Sequence, residues 1–312
     1  MRLVRHLDDL PYPELDTGSV VTIGAYDGLH LGHQKLLDRV TSLAAQHDLT
    51  SVVMSFEPTP KEFLAGSSPP ARLMRFREKF ESLASHGVDL FYCPRFAAPM
   101  RDIAAPDFIR RILIHGLNAR HLVVGDDFQF ARRREGTIEQ LQQASSILRY
   151  SVEQVPSVVV DGVRASSTAI REALGTGNMG HATALLGRPY RMSGKIVKGD
   201  RVGRTLGYPT ANVDLRRRLS AVMGVFAARV HGLDGGARDA VASVGSRPTF
   251  DGTIPILEVH LFEFDEDIYG EYIHVDFIGW LREQQKFEEV DELVAQMHVD
   301  ADNAKTILAA SA

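Results

Sequence analysis

The feature that most constrains the fold is an alternation, along the first half, of short β-branched runs with longer stretches of helical apolar spacing. Val20-Val21-Thr22-Ile23 reads as a strand that stops at Gly24. Leu36, Leu37, Val40, Leu43 and Ala44 then fall on one face of a helix over 34–45. Residues 51–56 read as the next strand, broken by Glu57-Pro58. Phe76, Phe80, Leu83 and Ala84 mark a helix, 88–92 a strand, 108–114 a helix and 121–125 a strand. Strands separated by helices of this length imply βαβ units and a parallel sheet. Ligands of such sheets sit beyond the carboxyl ends of the strands, where Gly24 and Gly125 lie.

The texture changes near Gly187-Arg188-Pro189-Tyr190. Beyond it, short strand-like runs at 222–230, 240–244, 256–264 and 272–278 are separated by Gly, Pro and Asp with no helix between them. That spacing implies an antiparallel barrel. Val290, Leu293, Val294 and Met297 mark a terminal amphipathic helix. The expected organisation is α/β followed by mainly β, with domains at 1–186 and 187–312. A length of 312 residues, 44% of them hydrophobic, suffices for two cores.

Composition narrows the function. A net charge of −5 is a poor match for a protein that coats nucleic acid, though it leaves room for a local phosphate site. The basic runs Arg132-Arg133-Arg134 and Arg216-Arg217-Arg218 are short and read as solvated loops. One cysteine, Cys93, excludes an internal disulfide and a thiol zinc site and suits a reducing cytoplasm. The N-terminus is too charged for a signal peptide, and no apolar run approaches the ~20 residues that span a bilayer.

The segment Gly24-Ala25-Tyr26-Asp27-Gly28-Leu29-His30-Leu31-Gly32-His33 follows a strand and opens a helix. His30 and His33 then share a helical face. A helix N-terminus offers free amides and a positive dipole end to anions, and Gly28 and Gly32 let backbone approach a phosphate. Two imidazoles there add donors for charge moving onto a leaving pyrophosphate. Local capping and metal binding are the alternatives; the glycines fit phosphate better. A second helix start, Ser166-Ser167-Thr168-Ala169-Ile170-Arg171, offers hydroxyls and a guanidinium to phosphate, or a plain N-cap. No Walker-type Gly-Lys-Ser/Thr loop is present in this half.

These two motifs resemble the signatures of the nucleotidylyltransferase superfamily. More specifically, the whole chain is similar to the bacterial bifunctional riboflavin kinase/FMN adenylyltransferase family, the prokaryotic FAD synthetases. In the first half the likeness rests on Phe56-Glu57-Pro58, Val123-Val124-Gly125-Asp126-Asp127-Phe128 and Arg133-Arg134-Glu135-Gly136, and at the junction on Leu186-Gly187-Arg188-Pro189-Tyr190. In the second half it rests on Gly203-Arg204-Thr205-Leu206-Gly207-Tyr208-Pro209-Thr210-Ala211-Asn212, Gly245-Ser246-Arg247-Pro248-Thr249-Phe250 and Leu257-Glu258-Val259-His260.

The resemblance implies a Rossmann-like adenylyltransferase domain making FAD and pyrophosphate from FMN and ATP. It further implies a barrel domain phosphorylating riboflavin to FMN. ATP and Mg²⁺ follow as co-substrate and metal. In the first half the implied ATP and phosphate residues are Gly24, Tyr26, Asp27, Gly28, His30, Gly32, His33, Asp126, Ser166, Ser167, Thr168 and Arg171. In the second half they are Lys198, Gly199, Gly203, Arg204, Thr205, Gly207, Pro209, Thr210, Asn212 and Glu258. His30, His33 and Arg171 are expected to act on phosphate charge.

Adenylyl transfer from ATP to an ionised FMN phosphate needs alignment rather than a base. Phosphorylation of a neutral riboflavin hydroxyl benefits from a carboxylate, for which Glu258 is the candidate. Strand alternation puts Glu258, His260, Phe262 and Phe264 on one face and Leu257, Val259 and Leu261 on the core face. Thr210 and Asn212, two apart in extended chain, supply oxygens of the kind Mg²⁺ takes. Four positions depart from the family pattern. Tyr26 stands where phenylalanine is common, Thr59 where histidine is, Ala131 for glycine and Ala165 for isoleucine. Other readings are a redox protein that retains FMN, an RNA-binding protein on the same α/β domain, and a kinase with a structural first half.

Overall fold

A computed structural model describes residues 1–10, 15–66, 68–199, 203, 206–249 and 252–311, excepting the side chains of 248, 249, 252 and 253. Arg204, Thr205 and Phe250 lie outside the described residues.

By packing, the chain forms two compact units. Met1–Pro70 with Met74–Ala165 make the first; Ala71–Leu73 with Ser166–Ala312 make the second. In the first, the elements run β1 (Arg2–Val4), β2 (Ser19–Ile23), α1 (Leu31–His47), β3 (Thr50–Met54), α2 (Pro60–Ala65), α3 (Phe76–Ser85), β4 (Leu90–Tyr92), α4 (Phe108–Gly116), β5 (Ala119–Gly125), α5 (Ile138–Leu148) and β6 (Ser151–Val155). A small hairpin of β7 (Val159–Val160) and β8 (Val163–Arg164) follows.

The six strands lie in the order β1-β4-β3-β2-β5-β6, all parallel. β2 and β3 are buried almost throughout, because helices cover both faces and leave no position for polar alternation. From β2 the chain winds one way to β3 and β4, then returns to place β5 on the other side. That reversal creates a switch point between β2 and β5, the place beyond the strand ends where ligands of such sheets bind. The expected helix over 108–114 is present, wound with i→i+5 bonds such as Leu117 N–H to Ile112 O at 2.9 Å.

The second unit begins with α6 (Ser167–Gly175) and α7 (Met179–Leu186). A closed barrel follows, of β9 (Tyr190–Val197), β10 (Ala211–Asp214), β11 (Gly224–His231), β12 (Arg238–Thr249), β13 (Gly252–Leu261) and β14 (Tyr272–Arg282), ordered β10-β13-β12-β11-β14-β9 and antiparallel throughout. Leu257, Val259 and Leu261 point to its core, as alternation requires, while Glu258 and His260 are half-buried. α8 (Val290–Ala310) lies along the barrel, its Ala304 and Leu308 packing on Ala227. Cover on both faces explains why 225–228 of β11 is buried continuously.

The expectation of two solvated arginine runs holds for one only. Arg132, Arg133 and Arg134 are exposed. Arg217 is 8% exposed and donates to Arg72 O at 2.7 Å and to Leu73 O and Tyr190 Oη at 3.4 Å. Carbonyls take the place of water around its guanidinium, which sequence spacing has no means of signalling. No described helix is long and apolar enough to cross a membrane.

Candidate active sites

The loop from Gly24 to His30 leaves β2 at the switch point, and its backbone is tightly bent. Tyr26 and Leu29 have φ of 49° and 45°, and Gly28 has φ of 94°. Left-handed conformations in non-glycine residues cost about 1–2 kcal/mol each and persist only where the surroundings enforce them. Here both side chains are fully buried, and the Tyr26 hydroxyl is 2.7 Å from Thr22 Oγ1. Burial raises the Tyr26 pKa well above its ordinary value, so the phenol stays neutral. The hydroxyl that Tyr26 adds to the commoner phenylalanine thus finds a partner. Its ring is core rather than ligand surface, and Gly24 lies against it. Asp27 is also buried and accepts from Met74 N at 2.9 Å. Lys79, 3% exposed, donates to Ala25 O at 2.6 Å and props the loop from below.

His30 caps α1: its Nδ1 accepts from the His33 amide at 3.3 Å. The proton of the neutral ring therefore sits on Nε2. The two imidazoles stack with centroids 3.6 Å apart, and Tyr26 lies 4.9 Å from His33. Burial, with the Arg164 charge, lowers the His30 pKa to about 4; nearby Asp127 opposes this in part. Burial, then His30 and Lys79, hold His33 well below the usual range. His33 Nδ1 is buried with no hydrogen-bond partner among the described residues. Both rings are thus neutral donors at pH 7, poised to gain charge beside an anion.

Across the switch point, Asp126 accepts from Ser157 N at 2.9 Å and Ser157 Oγ at 2.7 Å, which together lower its pKa. Arg164 bridges Asp126 and Asp127 at 3.2 and 2.9 Å. Sequence reasoning missed Arg164 and Lys79 as the cations nearest the histidines. Nothing in their local pattern marks them, since it is the packing of α3 and of the β7–β8 hairpin that brings them there.

The Ser166–Arg171 motif belongs to the second unit. Ser166 caps α6 by accepting from Ala169 N at 3.2 Å, the plainer of its two readings. Ser167 and Thr168 occupy the first turn. Arg171 donates to Ala71 O at 2.5 Å and Ser167 O at 3.0 Å.

In the barrel, β10 pairs with β13 so that Asn212 stands opposite Glu258, which in turn stands opposite Ser243 of β12. The three share one face, half-buried. A Cβ on Gly199 would lie 2.5 Å from Asn212 Cγ, so the bare backbone of Gly199 is pressed onto that amide. A Cβ on Gly203 would strike the Tyr208 carbonyl and lie 3.3 Å from Thr210 Oγ1. Gly199, Gly203, Thr210, Asn212 and Glu258 are thus gathered, with Lys198 exposed beside them. Gly207 has φ of 79° with open space around it, so its role is a turn. Pro209 precedes Thr210 on the same stretch. Oxygens of Thr210 and Asn212 beside a glycine cradle and a carboxylate suit a magnesium-bound triphosphate.

Comparison with known proteins bears on both units. A family model described as FAD synthetase matches residues 12–169, and one described as riboflavin kinase matches 186–308. The bifunctional riboflavin kinase/FMN adenylyltransferase of Escherichia coli K12 is 42% identical over 300 residues, covering 96% of each chain. That of Haemophilus influenzae is 40% identical over 288 residues, covering 92% of this chain and 94% of its own. A crystal structure from Streptococcus pneumoniae, described as a macrolide-efflux protein, superposes with a TM-score of 0.83 at 32% identity, over 97% of this chain and 98% of that one.

Proposed function

The chain belongs to the family of bifunctional riboflavin kinases/FMN adenylyltransferases, and on that premise we propose how its residues divide the two reactions. It is an enzyme of flavin cofactor synthesis. The riboflavin kinase half transfers the ATP γ-phosphoryl group to a riboflavin hydroxyl, giving FMN and ADP. The FAD synthetase half transfers AMP from ATP to the FMN phosphate, giving FAD and pyrophosphate. The observation that supports the division is that the His30–His33 stack lies in one compact unit and the Asn212–Glu258 pair in the other.

For adenylyl transfer, the α1 amides, Gly28 and Gly32 receive the ATP phosphates. His30 Nε2–H and His33 donate to the pyrophosphate as charge moves onto it. Arg164, held at the surface by two exposed carboxylates, is a further cation for the same charge. Asp126 orders the opposite side of the switch point. Phe56, Phe63 and Phe96, packed edge-on at 5.4 Å beyond β3 and β4, offer an apolar surface to the flavin ring.

For phosphoryl transfer, Glu258 accepts the riboflavin hydroxyl proton. Lys198 and the main chain at Gly199 and Gly203 meet the nucleotide phosphates. Thr210 and Asn212 would hold Mg²⁺, which would neutralise charge on those phosphates. The substrates are small molecules, and the single buried cysteine, Cys93, suits a cytoplasmic enzyme.

Incubation with riboflavin, ATP and Mg²⁺, followed by separation of the flavins, tests the assignment. FMN should appear first and FAD after it. Accumulation of FMN alone would leave only the kinase, and a coloured protein without ATP turnover would make it a flavin carrier.

A further inference from the structure

The stretch before β10 is held by three side chains, Tyr208, His260 and His298. His260 Nδ1 lies 2.9 Å from the Pro209 carbonyl. A carbonyl only accepts, so that nitrogen carries the proton and the ring tautomer is fixed. Pro209 has no N–H of its own, which makes its carbonyl the one main-chain handle it can offer just before Thr210. One residue earlier, the Tyr208 ring sits 5.0 Å from His260 and 5.2 Å, edge-on, from His298 of α8. Its hydroxyl is hydrogen-bonded to His298 Nδ1. Behind them the turn is closed by Tyr208 N and Leu206 N donating to Gly203 O at 2.8 and 3.1 Å. The β10–β13 register, with Ala211 opposite Val259, brings Thr210 level with His260.

We propose that Tyr208, His260 and His298 are positioning residues for the kinase reaction. They tie residues 207–209 to β13 and α8, so that Thr210 and Asn212 present their oxygens at a fixed place. The proposal rests on the reading that Thr210 and Asn212 hold the nucleotide with its magnesium. Without the ties, this glycine-flanked stretch would sample other conformations, and nucleotide binding would bear the cost of ordering it. The effect therefore belongs in the KM for ATP rather than in kcat.

The test is steady-state riboflavin phosphorylation by the full chain at saturating Mg²⁺, with FMN adenylylation as a control for folding. His260→Leu keeps bulk and removes the donor; His260→Asn keeps a donor near the Nδ1 position. His260→Leu should raise the KM for ATP about five- to tenfold, the scale of one lost hydrogen bond, with kcat little changed. His260→Asn should recover most of that, and Tyr208→Phe should raise the KM about two- to fivefold. FMN adenylylation should not change. Asn212→Ala, run in parallel, should raise the KM for ATP too. If Asn212→Ala is impaired while His260→Leu and Tyr208→Phe are normal, the positioning role is wrong and the nucleotide reading stands. If Asn212→Ala is itself normal, that reading fails and the proposal falls with it. Equal losses in kcat and KM for the Leu and Asn variants would mean packing, and would also overturn it. Should His260→Leu fail to fold, Tyr208→Phe with an unchanged KM for ATP decides against the proposal.

Discussion

Burial sets the charge of His30 and His33 before any substrate arrives. With the folded His30 pKa near 4 and an unfolded value near 6.5, the unfolded chain binds the extra proton first as pH falls. Stability is therefore present above pH 6.5 and lost progressively towards pH 4, by about 3 kcal/mol at most for this group. His30→Gln should flatten that part of the stability–pH curve measured by urea unfolding; an unchanged slope would place the titration elsewhere. Changing His30 and His33 together to Ala should slow FAD formation from FMN by about 10²–10³-fold per lost donor and leave riboflavin phosphorylation intact. Parallel loss of both reactions would mean a folding role. For Glu258, a positioned base contributes about 10²–10⁴-fold. Glu258→Gln should lower kinase turnover on that scale while FMN is still converted to FAD. Near-normal turnover would leave Glu258 a strand-face residue.

Among the elements, two backbone positions make the sharpest predictions. Ala131, where glycine is frequent in the family, has φ of 62° and ψ of −169°, a region that only glycine occupies readily. Ala131→Gly should leave the protein as stable or up to about 1 kcal/mol more stable in chemical denaturation. A clear loss would mean the strain is relieved elsewhere. Gly199→Ala should push the Asn212 amide aside and weaken ATP binding in the kinase reaction alone; equal KM values for ATP would show that the cradle gives way freely. The strands and helices themselves were largely legible, because apolar period and glycine breaks report local geometry. The face of β13 was legible for the same reason. Thr59 was readable only in part. It stands where the family often has histidine, yet here its hydroxyl caps α2, accepting from Glu62 N while Glu62 accepts from Thr59 N at 2.9 Å. Lys79, Arg164 and Arg217 were not legible, since their partners come from distant segments and no short-range pattern encodes them.

At the scale of the molecule, α6 and α7 pack with the barrel, so a fragment cut at the sequence texture change omits part of its second unit. Gly177, after α6, lies so close to the Trp280 ring of β14 that a Cβ there would be 2.9 Å from it. A fragment of residues 166–312 should therefore melt higher than one of 184–312, and both that fold should make FMN but no FAD. Equal melting would show that the two helices add nothing to the barrel. The central claim is that two separate sites run two successive reactions. It is tested most directly by giving riboflavin, ATP and Mg²⁺ to three full-length proteins and resolving FMN and FAD over time. The unmodified chain should make FMN and then FAD; the His30→Ala/His33→Ala protein should stop at FMN; Glu258→Gln should make little of either from riboflavin, yet convert supplied FMN to FAD. If the histidine variant lost FMN formation, or Glu258→Gln lost the conversion of supplied FMN, the two sites would not be separate.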